Sequence, residues 1–197
     1  RTAGWAPKSR PELQAGIWAC LKLSTDCSEG PHGPIGSWDV SGVTDMSALG
    51  IVAKWIPVPG AHKFDADLSN WDVSSVTNME YMFDSASSFN GDISKWDVSS
   101  VTNMEYMFNF ASSFNADISK WDVSRVAYMD YMFFNAKSFN RKLCGAAWVN
   151  SKASQKDMFT GSPGSISRTV CTTRGGKTIA VLPIQAYKPY VILSKTI

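Results

Sequence analysis

Ile93 to Asp117 reads ISKWDVSSVTNMEYMFNFASSFNAD, and the rest of the chain can be read outward from it. Leu68 to Asp92 reads LSNWDVSSVTNMEYMFDSASSFNGD, and Ile118 to Lys142 reads ISKWDVSRVAYMDYMFFNAKSFNRK, so Trp71, Trp96 and Trp121 recur every 25 residues. A fixed period of this length is the signature of repeat architectures. An earlier copy starts at Ile35 with Trp38, Asp39, Val40 and Ser41, and an insertion at 51–61 separates it from the next. After Leu143 a decayed copy keeps Trp148 and Asp157-Met158-Phe159 but loses the spacing.

Within one unit Ile93, Trp96, Val98, Val101 and Met104 fall on the L-x-x-L-x-L frame of a leucine-rich repeat. Alternation around Trp96 and Val98 predicts a short strand with Lys95, Asp97 and Ser99 facing out. Thr102-Asn103-Met104-Glu105 matches a capping box, and Met104, Met107 and Phe108 then stand at helical spacing. The expected fold is therefore an α/β repeat, a short leucine-rich-repeat-like solenoid of about four to five coils with an N-terminal helical cap and an extended C-terminal tail. Residues 1–34 form the cap, 35–159 the solenoid with its insertion at 51–61, and 160–197 the closing cap and docking tail.

The F-N-x-D-I-S-x-W-D-V-S-x-V-T-N-M-x-x-M-F text resembles the BspA-type leucine-rich repeats of bacterial and protist surface proteins, over about Ile35 to Phe159. The resemblance implies a solenoid used for adhesion or protein contacts, with no catalytic residues to carry over. The entry stretch, Ala19 to Ser24 followed by Asp26-Cys27 and Gly30 to Ile35, is similar to the lead-in of such repeats in single-celled algae. The tail after Arg174 and the insertion depart from the family pattern, which places any specialised role there.

Composition narrows the function. With 44% hydrophobic and 18% charged residues and a net charge of +2, the 197 residues describe a folded domain with no global field for nucleic acid. The charge is unevenly spread: residues 64–140 carry 4 basic and 11 acidic side chains, whereas 141–197 carry 9 basic and 1 acidic. An acidic body thus precedes a basic tail, which either folds back on it or reaches a more acidic partner. Ile179 to Leu193 is the longest apolar stretch, but Pro183, Gln185, Lys188 and Pro189 interrupt it, so no membrane span is expected and any membrane association runs through a partner. The opening at Arg1, with no apolar core near it, reads as a processed chain or an excised piece.

Ser9-Arg10-Pro11-Glu12 predicts a helix start, with Leu13, Ile17 and Leu21 along one side. Four cysteines allow three pairings, and the local one, Cys20 with Cys27 and Cys144 with Cys171, suits staples at the two ends. The alternative is four buried thiols in a reducing compartment. Disulfides imply an oxidising one: the cell surface or exterior, the periplasm, or an organelle lumen such as that of the thylakoid.

Catalytic, metal and cofactor signals are missing. His32 and His62 sit in Gly/Pro-flanked loops without a partner at ligand spacing, and Gly176-Lys177-Thr178 lacks the earlier glycine of a phosphate loop. The recurring Asp39, Asp72, Asp97 and Asp122 invite two readings. As a ladder about 4.8 Å apart they would repel by ~1 kcal/mol per neighbour, which a bound cation or a glycosidase-like acid pair would exploit. Alternatively each accepts hydrogen bonds from the serine two residues on, which suits a residue present in every unit. The Met79/Met82, Met104/Met107 and Met129/Met132 pairs and the three repeated tryptophans read as core.

Candidate partner-binding residues are Trp55, which fits no frame, and the tail residues Ile179, Val181, Leu182, Ile184, Tyr187, Tyr190, Val191, Ile192 and Leu193, with Trp5 a further possible anchor. The expected function is a non-enzymatic structural or protein-interaction module, an accessory subunit docked on the subunits of a larger assembly. The algal likeness makes that a lumenal peripheral subunit of a photosynthetic membrane complex. The alternative is a secreted or surface adhesin that binds proteins or glycans through the strand face, and a hydrolase pairing Asp97 with Asp122 is a third class.

Overall fold

The computed structural model describes residues 4–49, 61–174 and 177–180. Trp55 and the tail residues from Val181 to Leu193 lie outside the described residues. In chain order the elements are α1 (Arg10–Leu21), 3-10 turns at Ile35–Ser37 and Ala61–Lys63, β1 (Lys142–Leu143), α2 (Ala146–Val149), β2 (Ser165–Ile166), β3 (Cys171–Arg174) and β4 (Lys177–Ala180). Strands β1 and β2 pair in parallel, and β3 and β4 form an antiparallel pair.

This overturns the expectation of an α/β leucine-rich-repeat solenoid of four to five coils. The described residues are mostly turns and loops, with two α-helices and two two-stranded sheets, and within the three 25-residue units the only helix or strand residue is Lys142, the last of the third unit, which begins β1. The reason lies in the side chains that alternate with the apolar ones. Asp92 and Asp97 accept the backbone N–H groups of Ser94 and Ser99 at 3.0 Å each. Such Asx turns draw the backbone away from a sheet ladder. The main chain then closes turns in which Trp96 N–H donates to the Ile93 carbonyl and Val101 N–H to the Val98 carbonyl.

The expected helix fails for a related reason. Thr102 does not cap it: its hydroxyl donates to the Thr77 carbonyl, 25 residues earlier, at 3.1 Å, and the Glu105 N–H goes to Asn103 Oδ1 at 2.9 Å. Tyr106 and Phe110 have φ of 55° and 54°, left-handed values that break any helix within a turn. The Met104, Met107 and Phe108 spacing arises instead from successive tight turns, each of which returns an apolar side chain to the interior.

Backbone groups that a helix would have used are satisfied between units. Met79, Tyr81, Phe83 and Ser85 donate to the carbonyls of Asn103, Glu105, Met107 and Asn109 at 2.7 to 3.0 Å. Met104, Tyr106, Phe108 and Phe110 repeat the pattern onto Tyr128, Asp130, Met132 and Phe134. Outside the named strands, the β-bridges among the described residues are isolated ones in the parallel series Asp45, Asn78, Asn103, Tyr128 and Ser154.

Equivalent side chains consequently meet in the core. Phe83, Phe108, Phe133 and Phe159 stack at 5.4 to 5.6 Å, and Phe64, Phe89, Phe114 and Phe139 form a second series at 5.8 to 6.1 Å. Within a unit Phe108 and Phe114 lie 3.8 Å apart, which locks the two series together. Each aromatic pair adds about 0.5–1.5 kcal/mol beyond area burial. Trp71, Trp96, Trp121 and Trp148 are buried with their indole N–H groups donating to the carbonyls of Ile35, Leu68, Ile93 and Ile118 at 2.9 to 3.1 Å.

The ends are closed differently. Ser9 Oγ accepts the Glu12 N–H and the Glu12 carboxylate accepts the Lys8 N–H, which starts α1. Leu13, Ile17 and Leu21 are buried beneath it. Trp5 packs over Gly16, where a Cβ would strike its ring, and stacks on His32 at 4.0 Å. Cys20 is bonded to Cys27 and Cys144 to Cys171, with Cα separations of 5.0 and 5.2 Å.

Candidate functional site

Two rows of carboxylates run along the described units. Asp39, Asp72, Asp97 and Asp122 are exposed, and each accepts the N–H of the serine two residues on, at 3.0 to 3.1 Å. Asp67, Asp92 and Asp117 make the same turn with Ser69, Ser94 and Ser119. These serine hydrogen bonds hold the carboxyls below the usual aspartate range, against the small opposing pull of burial. The aspartates are thus occupied in closing turns. Among the described residues no three His, Cys, Asp or Glu side chains gather as a metal site would require. An open groove of about 590 Å³ lies at one end of the rows, lined by Trp38, Asp39, Asn70 and Asp72.

A different row carries chemistry that faces outward. Tyr81, Tyr106 and Tyr131 are half-buried and stack at 4.6 and 4.8 Å, with ring planes within 9° of parallel. All three share a left-handed backbone, φ 55° to 57°, which repeats the same turn in each unit. Phe134 meets the edge of Tyr131 at 5.8 Å and of Phe110 at 5.7 Å, and Phe110 is 49% exposed. Tyr128, 53% exposed, stands where Asn78 and Asn103 stand in the preceding units.

Each stacked tyrosine follows an acid, so Glu80, Glu105 and Asp130 form a parallel row. Burial, then the charges of Glu80 and Asp130, raise the Glu105 carboxyl above its ordinary range. Burial also pushes the Tyr81 hydroxyl up to about 12, helped by Tyr106 and the neighbouring carboxylates. Asn103 reaches Glu80 at 3.4 Å, and the Lys156 N–H donates to Asp130 at 2.7 Å. At the far end Lys156 Nζ lies 5.6 Å from the centre of the Tyr131 ring, in cation–π range. Asn109 donates to Asp84 at 2.7 Å, which adds a further carboxylate beside the row.

The residues anticipated from sequence are distributed as follows. All four cysteines are paired, and the two disulfides fit an oxidising, extracellular or lumenal environment. Ile179 lies in β4, where its backbone registers with Thr172. Trp55, Val181, Leu182, Ile184, Tyr187, Tyr190, Val191, Ile192 and Leu193 fall outside the described residues. No helix among the described residues is long and apolar enough to cross a membrane. The tyrosine row was missed from sequence, although a Tyr-Met-Phe triplet at 81–83, 106–108 and 131–133 was its visible signal.

Tandem 25-residue repeats, hydrogen-bonded unit to unit and carrying a disulfide near each end, define a disulfide-bonded repeat-sequence protein with a periodic aromatic and acidic surface. Residues 57–168 match the family described as "Mycoplasma protein of unknown function, DUF285". That segment is more than half of the 197 residues, and the chain belongs to this family. No curated protein and no solved structure matches the chain.

Proposed function

We propose that the chain is a non-enzymatic protein-interaction module, an accessory subunit that docks on a larger assembly in an oxidising compartment. The observation that carries this reading is the row of stacked tyrosines, which repeats with the units and is bordered by carboxylates, together with the exposed Phe110 and Tyr128, each present in a single unit. Aromatic side chains that keep a polar edge in water are enriched where proteins meet. The aspartate rows, committed to turns, support a structural role for themselves rather than an acid pair.

A second reading, a secreted or surface adhesin of the BspA type, is favoured by the related family and by the same periodic surface. An organelle lumen, the thylakoid lumen included, suits the first reading and the cell exterior suits the second. Native purification followed by mass measurement of the intact particle tests the choice. A stoichiometric multi-subunit particle sustains the accessory subunit, whereas a monomer that adheres to host protein or glycan surfaces replaces it with the adhesin.

A further inference from the structure

The tyrosine row is a surface with an unusual balance of forces. Three aromatic rings stacked at 4.6 and 4.8 Å leave their faces covered by one another and their edges outward. Ring edges are the electropositive rim of the aromatic quadrupole, so they sit well beside the carboxylates of Glu80, Glu105 and Asp130. The carboxylates, however, repel one another along the row, and the raised Glu105 registers that repulsion together with burial. The molecule already meets the demand at one end, where Lys156 reaches Tyr131. That contact uses the end face of the stack; along the row, where stacking covers the faces, a cation would be drawn by the carboxylates, with its aliphatic stem against the ring edges.

Spacing restricts the occupant further. From Tyr81 to Tyr131 the two ring separations of 4.6 and 4.8 Å give roughly 9.4 Å. A polyproline-II segment advances about 3.1 Å per residue with three residues per turn, so residues i and i+3 lie on one side about 9.3 Å apart. A β-strand puts i and i+3 on opposite sides.

The geometry points to the Tyr81–Tyr106–Tyr131 row, with Glu80, Glu105 and Asp130, as a docking surface for a partner's extended polyproline-II segment carrying Lys or Arg at every third position. Two cations of the segment address the outer units, its aliphatic stems and prolines pack on the tyrosine edges, and Phe110 and Phe134 border the segment on the apolar side. This deepens the protein-interaction reading and rests on it, by naming the surface and the chemistry of the partner.

The test uses the full oxidised chain and a fluorescein-labelled peptide of five Lys-Pro-Pro repeats, read by fluorescence anisotropy. A control peptide has the same composition with its lysines clustered at one end. The expected result is at least fivefold tighter binding of the periodic peptide, weakened at least tenfold in the Glu80→Gln/Asp130→Asn double variant, which keeps a side-chain oxygen at position 130 for the Lys156 N–H. Far-UV circular dichroism of that variant confirms its fold, and Tyr106→Asn, which tolerates the left-handed backbone, is the second variant. Equal binding of both peptides overturns the proposal in favour of charge alone. No binding of either overturns it while the native-particle mass still decides the accessory-subunit reading. Concentration-dependent dimerisation of the chain that the same variants abolish overturns it in favour of a second copy as occupant.

Discussion

Replacing Trp96 by Phe removes one donor and part of one ring while leaving an apolar side chain in place. Trp96 is 4% exposed, and its indole N–H bonds the Leu68 carbonyl at 3.1 Å across 28 residues of chain. With the donor gone the Leu68 carbonyl still accepts the Trp71 N–H at 3.0 Å, so the loss is that of one hydrogen bond, about 0.5–1.5 kcal/mol. The ring also stacks on Trp121 at 6.5 Å and lies 6.2 Å from Phe83. Poorer stacking and a small void add about 1 kcal/mol. The sum is about 2 kcal/mol, a sizeable share of the roughly 5–15 kcal/mol that holds a domain folded. In a domain of this size 1 kcal/mol moves Tm by about 2–4 °C, so the melt should fall by about 4–8 °C. Thermal unfolding followed by near-UV circular dichroism reads the change, with urea titration as the check. A fall of less than about 2 °C would refute the reasoning, because it would mean that the indole neither fills the interior nor binds the neighbouring unit.

Three further outcomes are expected. Cys144→Ser/Cys171→Ser opens a loop of 27-residue separation and Cys20→Ser/Cys27→Ser one of 7, so chain entropy predicts losses of about 3.6 and about 2.5 kcal/mol; equal urea midpoints for the two double variants would contradict this order. The turn aspartates have folded-state pKa values below the ordinary 3.8, so their contribution is fully present above that value and is lost as pH falls below it. Denaturation midpoints should therefore drop as pH is lowered from 5 to about 2.5, and Asp97→Ala should flatten part of that slope; an unchanged midpoint across this range counts against the serine turns. Glu105 has the opposite sign: a raised carboxyl pKa means that ionisation opposes folding, so Glu105→Gln should raise Tm slightly at pH 7 and leave it unchanged at pH 3, and a lower Tm at pH 7 would sink the argument.

The core was legible because burial asks only for apolar side chains at a fixed phase. Trp96, Met104, Met107, Phe108 and Phe114 recur every 25 residues, and all are buried. What those residues do between burials was not legible from their spacing. Three and four residues apart is also the return distance of consecutive tight turns, so Met104, Met107 and Phe108 imitate a helix that Tyr106 at φ 55° does not allow. Period-two alternation at Trp96 and Val98 imitates a strand, but Asp97 and Ser99, read as its solvent side, are the pair that bends the chain. The aspartate-to-serine hydrogen bond was one of two readings open from sequence, and the geometry of Asp72 and Ser74, 2.6 Å between carboxylate and hydroxyl, selects it. Tyr81, Tyr106 and Tyr131 escaped notice because a tyrosine between two core residues looks like the flank of a helix rather than a column of its own.

The direction of the hydrogen bonds has a consequence for how such a chain changes length. Tryptophan and threonine side chains reach back to the preceding unit, at Leu68 and Thr77, while the N–H groups of Met104, Tyr106, Phe108 and Phe110 reach forward to the next. In its main-chain and indole donors every interior unit therefore presents the same plug to one neighbour and the same socket to the other, Ala127 lacking only the threonine hydroxyl. A gene that duplicates or deletes one such 25-residue block leaves no donor or acceptor stranded at the new junction, and the number of docking positions on the tyrosine column changes by one with it.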